Sequence, residues 1–172
     1  MYFAHVKNNQ IITVSECQYL DEGVLNIEIP KQIYENWEDY IYFNGEIIIN
    51  PELDKIKLEN AKNTKIQEND TARDIALNQG VIYQSVLFDS DTDQKANILG
   101  AVLQMGDTDT IEWFGMDNQP LECTKEDLLN IGGLITALHT FCWSKNAEIK
   151  TAINEASTIE EVESIKIDYI GD

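Results

Sequence analysis

Three aspartates at alternate positions, Asp89, Asp91 and Asp93 in "FDSDTDQKANILGAVL", have the spacing that opens a calcium loop. Such a loop needs Gly at its sixth position for the turn and a bidentate Glu at its twelfth. Counting from Asp89, those positions hold Gln94 and Gly100, so the ligand set fails. The same residues suit the start of a helix. Ser90, Asp91 or Thr92 can accept hydrogen bonds from the free N–H groups of a first turn, and the carboxylates complement the positive end of the dipole. A second candidate is the pair His139 and Cys142, three residues apart and therefore on one helical face. A thiolate–imidazole couple also needs oxyanion donors and an orienting group, and one local pair supplies neither. A packed or partly exposed structural histidine is the expected reading of His139. His5 lies far away in the sequence and has no partner at metal-ligand spacing.

The chain has no GxSxG, no phosphate-cradling GxxxxGK[ST] and no dinucleotide-binding GxGxxG. Gly132-Gly133 falls inside a helical pattern and cannot serve as a phosphate loop. The expectation is a non-enzymatic protein without metal or cofactor. Its most useful side chains are then adhesive ones: Trp113 and Phe114 in "TIEWFG", with Trp37 and Tyr42 nearer the N-terminus, are the candidate interface residues.

The elements that must position them read as an α+β fold in three parts. Residues 1–50 form a small antiparallel β head. "YFAHV" and "QIITVSE" flank Lys7-Asn8-Asn9, where Asn tolerates the positive φ of a tight turn. "VLNIEI" is a strand closed by Pro30, "KQIYENWEDY" a short helix, and "YIYFNGEIII" a hairpin about Asn44-Gly45. Residues 51–79 are charged and lack aromatics, with Pro51 at the start of a helix and Gly80 at its stop. Their apolar positions keep no sustained stripe, so this segment is expected to be a polar helical connector, a solvated spacer in preference to a coiled coil.

Residues 80–172 form a mixed domain. "VIYQSVLFD" is a short hairpin around Gln84-Ser85. "TDQKANILGAVLQM" is a helix with Ile98, Ala101, Val102 and Met105 on one face. "TIEWFG" and "PLECT" are strands about the turn "MDNQ". A long helix follows, with Leu128, Ile131, Ile135, Leu138, Cys142, Ile149 and Ile153 at three- and four-residue intervals and Thr124 with Asp127 as a capping pair. Gly132 and Gly133 weaken that helix by roughly 1 kcal/mol each relative to Ala, which implies close packing there. "STIEEVESI" starts a last short helix.

Charge restricts partners. With 31 acidic against 12 basic residues the formal net charge is −19, which repels nucleic-acid phosphates and anionic lipid. Neither nucleic acid nor membrane is an expected partner: no apolar run approaches the roughly 20 residues that span a bilayer. "MYFAHVKNNQ" lacks the pattern of a signal peptide, so the chain is expected to stay in the cytoplasm. Cys17, Cys123 and Cys142 are odd in number and without CxxC spacing, which favours reduced, packed thiols.

The stretches "GVIYQSVLFDSDTDQKANILGAV", "IEWFGMDNQPLECTKEDLLNI" and "FCWSKNAEIKTAINEASTIEEVESI" together resemble a phage-tail-associated domain family of unknown function, from Gly80 to Ile165. Gln94 and Ala96-Asn97 depart from that pattern near the helix start. The β head, with "MYFAHVKNNQIITVSECQYL" and "YIYFNGEIIIN", is similar to the small heads of short tail-fibre and fibre-assembly proteins. The resemblance implies a bacteriophage or prophage protein that binds a tail-fibre or baseplate protein, as assembly chaperone or tip protein. It would act in the bacterial host cytoplasm during assembly or in the virion tail. The alternative it implies is a structural or receptor-binding fibre subunit, trimerised through Glu52 to Gln79.

Overall fold

The computed structural model describes residues 1–169 and has the expected α+β architecture. The chain divides into two compact units, Met1–Glu59 and Asn60–Asp172.

In the first unit, β1 (Tyr2–Lys7) is the centre of a three-stranded antiparallel sheet, between β2 (Gln10–Ser15) and β3 (Leu25–Ile29). The β1–β2 turn places both Asn8 and Asn9 at positive φ, 54° and 61°, as a two-residue turn of this hand requires. Phe3, Ala4, Val6 and Ile29 are its buried apolar side chains. Pro30 leads into the short helix α1 (Lys31–Glu35), a single 3₁₀ turn covers Trp37–Asp39, and β4 (Tyr40–Phe43) pairs with β5 (Glu46–Ile49) across Asn44-Gly45.

The helix predicted from Pro51 is α2 (Leu53–Leu77), and the division between the units falls inside it. Its later turns are no solvated spacer. Asn69 and Ala76 are buried, and Ala76 packs with Cys142, Ile149, Ile153 and Tyr169. That face carries no apolar stripe because its central anchor is polar. Asn69 donates from Nδ2 to the Asn146 carbonyl (3.2 Å) and accepts at Oδ1 from the Tyr169 hydroxyl (2.8 Å). Beside it, Asp70 accepts from Asn146 Nδ2 (2.9 Å) and pairs with Lys150 (2.7 Å) and Arg73 (3.0 Å). The Arg73 guanidinium lies 4.3 Å from the centroid of the Trp143 ring. The Lys150 hydrogen bond holds the Asp70 carboxyl below its ordinary value, while burial pushes the Tyr169 phenol up and keeps it a donor.

Beyond α2 come β6 (Val81–Tyr83) and β7 (Val86–Phe88), α3 (Thr92–Gln104), β8 (Thr110–Phe114) and β9 (Pro120–Thr124). Then follow α4 (Lys125–Glu155) and α5 (Ile159–Ser164), each opened by a full capping box, Thr124/Asp127 and Thr158/Glu161. The first half of α4 buries Leu128, Ile131 and Ile135 against Phe88, Ile98, Val102, Met105 and Cys123. Its second half carries the α2 contact.

Candidate contact surface

The aspartate stretch starts a helix: Asp91 is the N-cap of α3, accepting the Gln94 N–H at 2.6 Å. Ser90 is buried and donates to the Leu77 carbonyl. Among the described residues no group of three or more His, Cys, Asp or Glu is placed to hold a metal ion. The His139–Cys142 pair is divided by its surroundings. His139 Nε2 bonds the Ser90 carbonyl (2.6 Å), while Cys142 is fully buried among Ala76, Ile149 and Ile153, where desolvation pushes its thiol up, away from the thiolate.

His5 shows what spacing cannot. Fully buried, it reaches Ser15 Oγ from Nε2 (2.8 Å) and Asn26 Oδ1 from Nδ1 (2.7 Å). The string has the order of a Ser–His–Asn relay, but its ends are already used. Ser15 Oγ donates to the Cys17 carbonyl (2.5 Å) and accepts the Cys17 N–H (3.3 Å). Asn26 accepts the Tyr19 N–H and donates to the Tyr19 carbonyl (2.7 and 2.9 Å). The string therefore clamps the loop after β2 onto β1 and β3.

One set of exposed apolar side chains lies on two interlocked hairpins of the second unit. Gln84 and Ser85 take positive φ, 47° and 68°, closing β6–β7 in two residues. Asp127 ties that turn to α4. Its Oδ1 accepts from Tyr83 Oη (2.7 Å) and Gln84 Nε2 (3.0 Å), and its Oδ2 accepts the Thr124 N–H (2.8 Å). The Thr124 and Tyr83 hydroxyls hold its carboxyl below the ordinary value. The β8–β9 hairpin locks on through the Met116 N–H, which donates to the Leu87 carbonyl (2.8 Å). Gly115 makes this approach possible, since a Cβ there would stand 2.7 Å from that carbonyl oxygen and 2.6 Å from Val86.

The result is an apolar display: Ile82 and Leu87 are cross-strand partners on the exposed face, and Phe114 and Met116 are 55% and 45% exposed. Of the predicted pair on β8, Phe114 faces solvent and Trp113 faces the core, half-buried. Among the described residues, the buried Trp113 indole N–H has no hydrogen-bond partner. Trp37 and Tyr42 belong to the first unit, both half-buried. Thus the structure joins Phe114 to residues that sequence reasoning did not select. Ile82, Leu87 and Met116 are ordinary apolar residues in short strands and a turn, and only the interlock makes them a surface.

Residues 60–170 match the Domain of unknown function (DUF4376). The chain belongs to this family. The DUF4376 match begins at Asn60, where the second compact unit also begins, and not at Gly80. The polar anchor of α2 on α4 is therefore part of the DUF4376 domain, together with both hairpins. No curated protein and no solved structure matches the chain. Among the described residues, no helix is long and apolar enough to cross a membrane.

Proposed function

We propose that the protein is a phage or prophage tail-fibre-associated protein that acts by protein–protein contact and without catalysis, binding the fibre as an assembly chaperone or tip protein. The observation that carries this reading is the Ile82–Leu87–Phe114–Met116 display, large apolar side chains held outward on a rigid, interlocked pair of hairpins. The sequence resemblance supplies the partner class. The fibre-subunit alternative, trimerised through α2, is less well supported, because that helix uses its Asn69–Ala76 face within its own chain.

Co-expression with a phage tail-fibre protein tests the reading. The expected result is co-purification of the two, abolished by Phe114→Glu combined with Leu87→Glu. A fibre that folds and stays in solution without this protein, and does not bind it, removes the chaperone reading.

A further inference from the structure

The helices α3 and α4 enclose an open, largely apolar trough of about 680 Å³, on a different set of residues from the hairpin display. Each helix contributes a row at positions i, i+3, i+4 and i+7, exposed except for the half-buried Gly100 and Gly132: Ala96, Leu99, Gly100 and Leu103 on α3, and Leu129, Gly132, Gly133 and Thr136 on α4. That spacing is the contact face of a packed helix. Yet Leu99, Leu103 and Leu129 are 60%, 76% and 56% exposed. Helix α3 is thus apolar on two sides, one buried through Ile98 and Val102 and one facing out.

The glycines sharpen the point. A Cβ on Gly132 would meet only Ile98, at 3.4 Å, and a Cβ on Gly100 or Gly133 would meet nothing within 4 Å. Gly in a helix interior costs about 1 kcal/mol relative to Ala. Nothing among the described residues requires that cost at Gly100 or Gly133, whereas a helix approaching from outside does.

Charge selects the occupant. In a chain of net charge −19, no Asp or Glu occurs between Gln94 and Gly106, or between Leu128 and Ala147. Two copies repel each other over most of their surfaces, and this face is where the repulsion is least. Lys95 lines the trough half-buried, and no carboxylate among the described residues pairs with it. The face is also self-complementary, since a ridge (Leu99, Leu103) runs beside a glycine-floored trough. A two-fold axis seats the ridge of each copy in the trough of the other. With the two α3 helices antiparallel and crossing near Gly100, a rise of about 1.5 Å per residue brings Lys95 of one copy level with Met105 of the other. Just beyond lies the Asp107 carboxylate, 96% exposed and only 3.6 Å-paired to Lys125.

We infer that the protein forms a two-fold dimer through the α3–α4 trough. The inference is independent of the fibre-binding reading. Sedimentation equilibrium of the full chain tests it, over a concentration series at low and at high salt. The expected result is a mass rising toward twice the monomer with concentration. The dimer should strengthen as salt screens the repulsion between the two acidic bodies. Gly133→Leu fills the trough and Leu103→Glu charges the ridge, and each should weaken association at least tenfold. Both positions are open, so thermal melts followed by circular dichroism should show the fold intact. A monomer at every concentration and salt overturns the inference. So does an oligomer indifferent to both substitutions, or a trimer that Ile56→Asp in α2 dissolves.

Discussion

The two halves of α4 are held by opposite means. From Leu128 to Ile135 the helix presses apolar side chains onto α3 and the hairpins, and the contact has little to distinguish one register from another except shape. From Cys142 to Ile153 it meets α2 through a smaller apolar set, organised around Asn69, Asp70, Asn146, Lys150 and Tyr169. The first contact is strong and tolerant. The second is directional: it rests on hydrogen bonds between particular side chains, and a shift of one residue along either helix leaves buried polar groups unpaired.

Substitutions that separate the two mechanisms differ in size. The largest effect is expected from Ile131→Ala, which opens a cavity in the apolar contact and should cost about 3 kcal/mol in urea unfolding. Next is Asn69→Ala, about 2 kcal/mol, because the Tyr169 hydroxyl loses its buried acceptor. An equal or larger loss at Asn69 than at Ile131 would mean that the polar anchor, and not the apolar core, dominates. Asp127→Ala is smaller, about 1 kcal/mol, as the loss of the α4 capping box, with the β6–β7 turn freed as well.

Acid discriminates further. The folded pKa values of Asp70 and Asp127 lie below the ordinary 3.8. Their contributions are therefore complete above that pH and vanish as pH falls from it through the depressed folded values. Asp70→Asn should flatten part of the decline in urea midpoint below pH 3.8, and adding Asp127→Asn should flatten more. A slope unchanged by either would refute the assignment. The smallest effect is expected at Phe114→Ser, within about 0.5 kcal/mol of the parent, since that ring touches solvent.

How far the sequence foretold this depends on whether a signal is local. Turn chemistry is local. Asn8-Asn9 and Asn44-Gly45 announce their hairpins, and Thr124/Asp127 announces its cap. Periodicity is nearly as good: Leu128, Ile131, Ile135, Cys142, Ile149 and Ile153 are all buried as their spacing required, and Leu138 on the same face is partly buried. The docking of α2 was not legible, because its anchor is an asparagine whose partners stand 77 and 100 residues away. Nor was the hairpin display, which arises from one backbone hydrogen bond between Met116 and Leu87. Among the described residues, the packing expected at Gly132-Gly133 exists only at Gly132, where Ile98 approaches.

The three cysteines are distributed so that each compartment reports on itself. Cys17 is exposed in the first unit, Cys123 lies in the apolar core with its thiol pushed up to about 11, and Cys142 lies beneath α2. A maleimide dye added to the native chain should therefore mark the N-terminal unit alone. As denaturant rises, the order in which the other two sulfurs become alkylated will reveal which half of the long helix lets go first, with no engineered probe required.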